Sequence, residues 1–156
     1  IILAGRKLND NMSKWVFKNI SHQLKRKKYN TKTLVLGLTF KENCPDIRNS
    51  QMIDLCNILA KKNTKVYAYD PYIASAENSS QKFKKIKLLN KLTNFKLKFD
   101  IIIIGVKHNE FRKIKINNLL KYKKKDGIFV DLKNLYPQKY SDFSLWYLIN
   151  FLKLII

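Results

Sequence analysis

The sequence predicts an α/β fold: a parallel sheet with flanking helices, preceded by one long amphipathic helix. Three observations carry that expectation. The runs TLVLGL (33–38) and FDIIIIGV (99–106) are apolar at nearly every position rather than at alternate ones, the pattern of strands buried on both faces. Helix-periodic segments alternate with such runs, as parallel crossover units require. Residues 5–28 place Leu8, Met12, Trp15, Val16, Ile20 and Leu24 on one helical stripe, with Arg6, Lys7, Asn11, Lys14, Lys18 and Lys25 elsewhere.

Taken in order, the first helix ends in KRKKYNTK, a polar stretch that reads as a linker into a new unit. TLVLGL follows as the first strand. After the loop GLTFKENCPDIRNS (37–50), Met52, Ile53, Leu55, Cys56, Ile58 and Leu59 form a helical face, with Asn49 or Ser50 as its N-cap. KVYAYDP is a second strand, stopped by Asp70-Pro71. The lysine-rich stretch 72–98 is weakly patterned, and one helix without assigned bounds is expected there. FDIIIIGV is the clearest buried strand. A short helix or two over 109–123 leads to DGIFVDL (126–132), a strand with a turn in front. The tail FSLWYLINFLKLII (143–156) is shorter than a membrane span and broken by Asn150 and Lys153, so it reads as an ordered or interface-packed tail, with attachment to a membrane surface as the alternative.

At 156 residues the chain is long enough for one domain with a well-buried core. It opens on Ile1 without an export pattern and reads as a fragment of a longer chain. Lys and Arg outnumber Asp and Glu by 32 to 11, a net charge of +21 that on its own suggests a nucleic acid or anionic membrane partner. Only Arg6, Arg26, Arg48 and Arg112 are arginine, however, and the lysines are spread over nearly every segment. Proteins that read bases favour the arginine fork, and neither a docking helix nor an aromatic platform is evident. An A/T-rich codon bias towards Lys, Asn and Ile explains the charge more simply, and no nucleic acid partner is expected. Cys44 and Cys56 lack metal or disulfide spacing, so a reduced cytoplasm is expected and no metal.

In a parallel α/β sheet the ligand crevice lies beyond the carboxyl ends of the strands. Four segments emerge there: 39–49, the Asp70-Pro71 turn, KHNEF (107–111) and KNLYP (133–137). Three of them carry a lysine or arginine, which suits an anion. A helix starting near Asn49 would point N–H groups and a partial positive charge into the crevice, flanked by Lys41 and Arg48. The loop lacks the close-approach glycines of a dinucleotide fingerprint, so side-chain cations must supply more of the attraction. A nucleotide sugar diphosphate would suit such a site; solvated loop charges are the plainer alternative.

The stretches GRKLNDNM, VLGLTFKENCPDIRNS, VYAYDP, IIIIGVKHNEF and FVDLKNLY together resemble the carboxyl-terminal portion of the UDP-glucose/GDP-mannose dehydrogenase family, over residues 1 to about 140. The likeness is greatest to the branch oxidising UDP-N-acetylhexosamines for surface polysaccharides. The resemblance implies that residues 1–30 end a central helical, homodimer-forming region and that 31–142 form a Rossmann-like, UDP-binding domain. It implies an NAD-dependent, two-step oxidation of a sugar C6 alcohol to a carboxylate through a thioester on a cysteine. That cysteine and the NAD fingerprint would lie upstream of Ile1, so no residue here is assigned a catalytic role and the chain alone is expected to be inactive. By the same resemblance Phe40 and Lys41 match a substrate-contacting pair, Arg48 matches an arginine that reaches the cofactor, and Lys133 falls where many members place a substrate-binding arginine.

Beside that likeness, Cys44 has no general base near it and Cys56 lies on an apolar helix face, which reads as core packing. His22 carries no signal. His108 sits at the mouth of the crevice, and a structural or solvent-facing role is preferred to a chemical one. Asp70 reads as a cap on the turn before Pro71 rather than a ribose ligand. Asp46 and Asn49 are candidates to order the loop carrying Arg48. Two other readings stay open: a non-catalytic nucleotide-sugar-binding remnant of a decayed gene and, last, a basic nucleic-acid-binding protein.

Overall fold

A computed structural model describes residues 2–24, 30–62, 64–73, 81–92 and 97–144, with side chains of the first helix from residue 11 onward. Helix α1 (Ile2–Gln23) leads into β1 (Lys32–Leu36), α2 (Gln51–Lys61), β2 (Lys65–Tyr69), β3 (Ile86–Leu88), β4 (Phe99–Ile104), α3 (Asn109–Arg112), α4 (Ile116–Leu120) and β5 (Lys123–Asp131). The five strands form one sheet in the order β3-β2-β1-β4-β5, and every pairing is parallel. The order reverses between β1 and β4, which is where such a sheet opens a crevice at its carboxyl edge.

The uninterrupted apolar runs have the cause expected of them. Successive strand residues point to opposite faces, and both faces are covered. Val35, Ile101, Ile103, Val66 and Val130 pack with Val16 and Ile20 of α1 and with Met52, Leu55, Cys56 and Leu59 of α2. Leu34, Leu36, Ile102, Ile104 and Phe129 pack on the other side with Phe111 of α3 and Leu119 of α4. Burying an isoleucine such as Ile103 completely contributes about 2–3 kcal/mol. Burial also pushes the Cys56 thiol well above its ordinary range, in keeping with a packing role. The Met12, Trp15, Val16, Ile20 and Leu24 part of the predicted stripe faces this core, while Leu8 lies outside the described side chains.

Two stretches depart from the sequence expectation. In 72–98 the described residues hold no α-helix; a 3-10 turn (Gln81–Phe83) buries Phe83, and β3 then adds an edge strand beside β2. Ile86 points inward between exposed Lys85 and Lys87, the alternation of a charged sheet edge that lysine abundance had hidden. Residues 74–80 and 93–96 lie outside the described set. Strand β5 starts at Lys123 instead of 126, because a register shift between Phe99 and Ile101 absorbs the extra residues. Gly127 permits it: a Cβ there would stand 2.9 Å from the Asp100 carbonyl oxygen.

The segment expected as an apolar tail begins inside the fold. Phe143 is buried, its ring centroid 5.6 Å from that of Trp15. Its carbonyl accepts from the Asp131 N–H at 3.0 Å, and the Asp142 N–H donates to the Phe129 carbonyl at 2.8 Å. Residues 141–144 thus run beside the carboxyl-terminal end of β5, over 129–131. The remainder of the tail lies outside the described residues. No described helix is long and apolar enough to cross a membrane.

Gly37 leaves β1 at φ +88°, and a Cβ there would stand 2.6 Å from the Val106 Cβ. Gly37→Ala should therefore destabilise the chain by about 2–4 kcal/mol in urea denaturation. The Thr33 hydroxyl is buried with no partner among the described residues. Thr33→Val should raise stability in the same assay by about 1 kcal/mol.

Candidate functional site

Beyond the carboxyl ends of β1, β4 and β5 lies a cavity of about 210 Å3, walled by Thr39 and Phe40 after β1, Gly105 and Val106 after β4, and Leu132 and Lys133 after β5. Gln51, Met52 and Leu55 of α2 and Met12, Ser13 and Val16 of α1 close the other sides. Phe40 is the exposed large hydrophobic residue of the described set, at 55%.

Past Gly37, the loop to residue 50 turns without further glycine. Asn43 and Asn49 take left-handed backbone angles, φ 54° and 56°, which asparagine tolerates better than other side chains. The Phe40 N–H closes the loop on the Asp46 carbonyl at 2.7 Å. Ser50 is the N-cap of α2, its hydroxyl accepting from the Ile53 N–H at 3.3 Å and donating to the Leu38 carbonyl. Of the two caps the sequence offered, Ser50 serves and Asn49 makes the turn before it.

The centre of this edge is Asp70. Its Oδ2 accepts from the N–H groups of Leu38 at 2.6 Å and Thr39 at 3.0 Å and lies 3.1 Å from His108 Nε2, while Oδ1 accepts from the Tyr72 N–H at 2.9 Å. Burial alone would raise this carboxyl; the hydrogen bonds from His108, Leu38 and Tyr72 outweigh it and hold the group below the usual carboxylate range. The turn cap expected of Asp70 is present, and it also holds the start of the site loop. His108 is fully buried, so of the roles open to it the structural one stands.

Lys133 reaches the cavity from a turn held by Asp131, whose carboxylate accepts from the Lys133 N–H at 3.1 Å and the Tyr136 N–H at 2.8 Å. Asn134 supplies the left-handed residue, φ 49°. The sequence reading missed Asp131; an aspartate at a strand end followed three residues on by asparagine is the signal that could have found it.

The structure brings Phe40 and Lys133 together on one cavity and leaves Lys41 and Arg48 off its lining. Lys41 is exposed. Arg48 is engaged with Asp46: Nε donates to Oδ1 at 3.0 Å, a second guanidinium nitrogen to Oδ2 at 2.9 Å, and the Arg48 N–H to Oδ1 at 2.9 Å. These bonds, with a smaller contribution from Lys41, bring the Asp46 carboxyl down to about 2. Lys41 and Arg48, expected to flank an anion at the helix start, do not line this cavity, and the Asp46 carboxylate occupies the arginine fork. Cys44 is half-buried and free, and no cluster of metal-ligating residues occurs among the described residues.

A parallel sheet of this order, with its cavity at the strand-order reversal, defines a doubly wound domain of the nucleotide-binding type. The chain belongs to the UDP-glucose/GDP-mannose dehydrogenase family, whose UDP binding domain matches residues 34–138. Over 148 residues it is 36% identical to the UDP-N-acetyl-D-glucosamine 6-dehydrogenase of Salmonella typhi and 37% identical to that of Pseudomonas aeruginosa, in each case 93% of this chain and 34% of the relative. The chain therefore spans about a third of the length of these relatives. The solved NDP-N-acetyl-D-galactosaminuronic acid dehydrogenase from Methanosarcina mazei Go1 superimposes with a TM-score of 0.73 at 21% identity, covering 90% of this chain and 30% of that one, and supports the fold.

Because the native Asp70 value is depressed, its stabilisation is complete above the ordinary carboxylate pKa of about 3.9 and is lost as pH falls through the lower native value. Asp70→Asn should cost about 2–4 kcal/mol at pH 7, the gap to the unsubstituted chain narrowing below about pH 4 in pH-dependent denaturation. An NMR titration of the Asp46 carboxyl should give a midpoint near 2, returning towards about 3.9 in Arg48→Met.

Proposed function

We propose that this chain is the carboxyl-terminal, nucleotide-sugar-gripping part of a UDP-sugar 6-dehydrogenase acting on a UDP-N-acetylhexosamine or UDP-glucose. The observation that carries the reading is the cavity at the strand-order reversal, where an exposed aromatic ring and a lysine from separate loops meet. Phe40 offers a flat apolar face to a base or sugar ring, and Lys133 a point charge to the diphosphate. At about 210 Å3 the cavity is below the ~300–1,000 Å3 usual for a whole ligand, so it seats part of a nucleotide sugar and leaves the rest to other walls.

The reading gives NAD to another part of a longer protein. The residues here do not fit it: the loop after β1 has only Gly37, and the room there is filled by Val106 rather than kept for a pyrophosphate. For Arg48 to reach a cofactor phosphate it would have to exchange Asp46 for it, one anion for another. Oxidation of the sugar C6 alcohol to a carboxylate with NAD as oxidant, and the cysteine expected to carry it, belong in this proposal to the same missing part. So does a homodimer formed through the helical region that α1 ends.

Isothermal titration of the purified chain tests the reading directly. Uridine diphosphate and UDP-N-acetylglucosamine should bind weakly, at roughly 0.1–1 mM, and NAD should give no signal. Lys133→Met should weaken uridine diphosphate about tenfold, an effect shrinking as salt is raised, and Phe40→Ala by a similar factor. Unchanged affinity in both variants, or NAD binding as tightly as uridine diphosphate, would overturn it.

A further inference from the structure

We propose that His108 is the positioning residue of the 39–43 loop, and that it works as a neutral ring whose bare Nδ1 holds the Asn43 amide. The claim builds on the functional reading above only in taking that loop to present Phe40 to a nucleotide.

The tautomer follows from the partners. His108 Nδ1 lies 2.9 Å from the Asn43 backbone nitrogen, and an amide N–H can only donate, so Nδ1 carries a lone pair. The ring proton then sits on Nε2, 3.1 Å from both Asp70 Oδ2 and the Thr39 hydroxyl. That hydroxyl is itself placed to donate to the Lys41 carbonyl at 3.1 Å, so it presents lone pairs to Nε2. A protonated ring would set N–H against N–H at Asn43. The pocket enforces the neutral form by geometry.

The lock runs in both directions. While His108 holds the Asn43 N–H, the Asn43 side-chain oxygen accepts from the Asn109 N–H at 2.9 Å, so the exits of β1 and β4 are tied by reciprocal bonds. The ring is gripped by Tyr72, with centroids 4.9 Å apart, and by Phe111 at 5.4 Å in an edge-on contact. Asp70 is the charged group in direct contact; the Tyr72 hydroxyl lies 3.5 Å from the Asn43 side-chain oxygen. With its side chain fully buried, His108 does not reach the cavity and acts through the loop alone.

Three substitutions separate the two halves of the lock. His108→Asn keeps an acceptor near the Nδ1 position, His108→Gln keeps a donor towards Asp70, and His108→Phe fills the space with neither. By NMR the unsubstituted chain should show Nδ1 unprotonated and Nε2 protonated at pH 7. Hydrogen exchange at the Asn43 amide should quicken at least tenfold in the Gln and Phe variants and stay within about threefold in Asn, with the β4 amides protected in all. Uridine diphosphate affinity should fall about tenfold in Gln and Phe and recover in Asn. A proton on Nδ1, or unaltered Asn43 exchange in His108→Gln, would overturn the proposal, as would equal losses in all three variants accompanied by lost β4 protection. An unsubstituted chain that binds no uridine diphosphate would count against the reading of the cavity, while the ring tautomer and the Asn43 amide would still decide the role of His108.

Discussion

The loop that leaves β1 and the exit of β4 depend on one buried carboxylate. Asp70 follows β2, yet its oxygens collect N–H groups from the exit of β1 and the histidine from the exit of β4. A buried charge is tolerable only when its lone pairs are filled, and here the donors that fill them are the backbone of the site loop. The requirement to satisfy that charge and the requirement to aim the loop are met by the same bonds. The start of the loop before α2 is therefore held by a residue that follows another strand.

The parts of the fold legible in the sequence were those fixed by periodicity. TLVLG and FDIIII announced two-sided burial, and the face beginning at Met52 announced a helix, because each pattern is set by local geometry repeated over many residues. Strand β3 was illegible: three residues long, with Lys85 before it and Lys87 within it, it owes its existence to pairing with β2 rather than to its own preference. Strand β5 was half legible, since the bulge that lets it start at Lys123 depends on Gly127 meeting a neighbouring strand.

The site divided along the same line. Phe40 and Lys133 were reachable from motif likeness, and both stand on one cavity. The salt link between Asp46 and Arg48 was not, although the two are only two residues apart, because charge patterning says which groups are near and not which partner a guanidinium takes. Asparagine, abundant here with lysine and isoleucine, supplies the left-handed turns at 30, 43, 49 and 134, so a composition that looks like mere codon bias also does the bending.

One feature at the far side of the sheet reaches beyond the site. Residues 141–144 pair along the carboxyl-terminal part of the outer rim of β5, and at the opposite rim β3 is three residues long, with Lys85 before it and Lys87 within it. Among the described residues both rims are thus shortened as templates for a second sheet, and the surplus of positive charge discourages the approach. Edge-to-edge pairing of two such sheets is therefore hindered, at the end of β5, by the chain's own return.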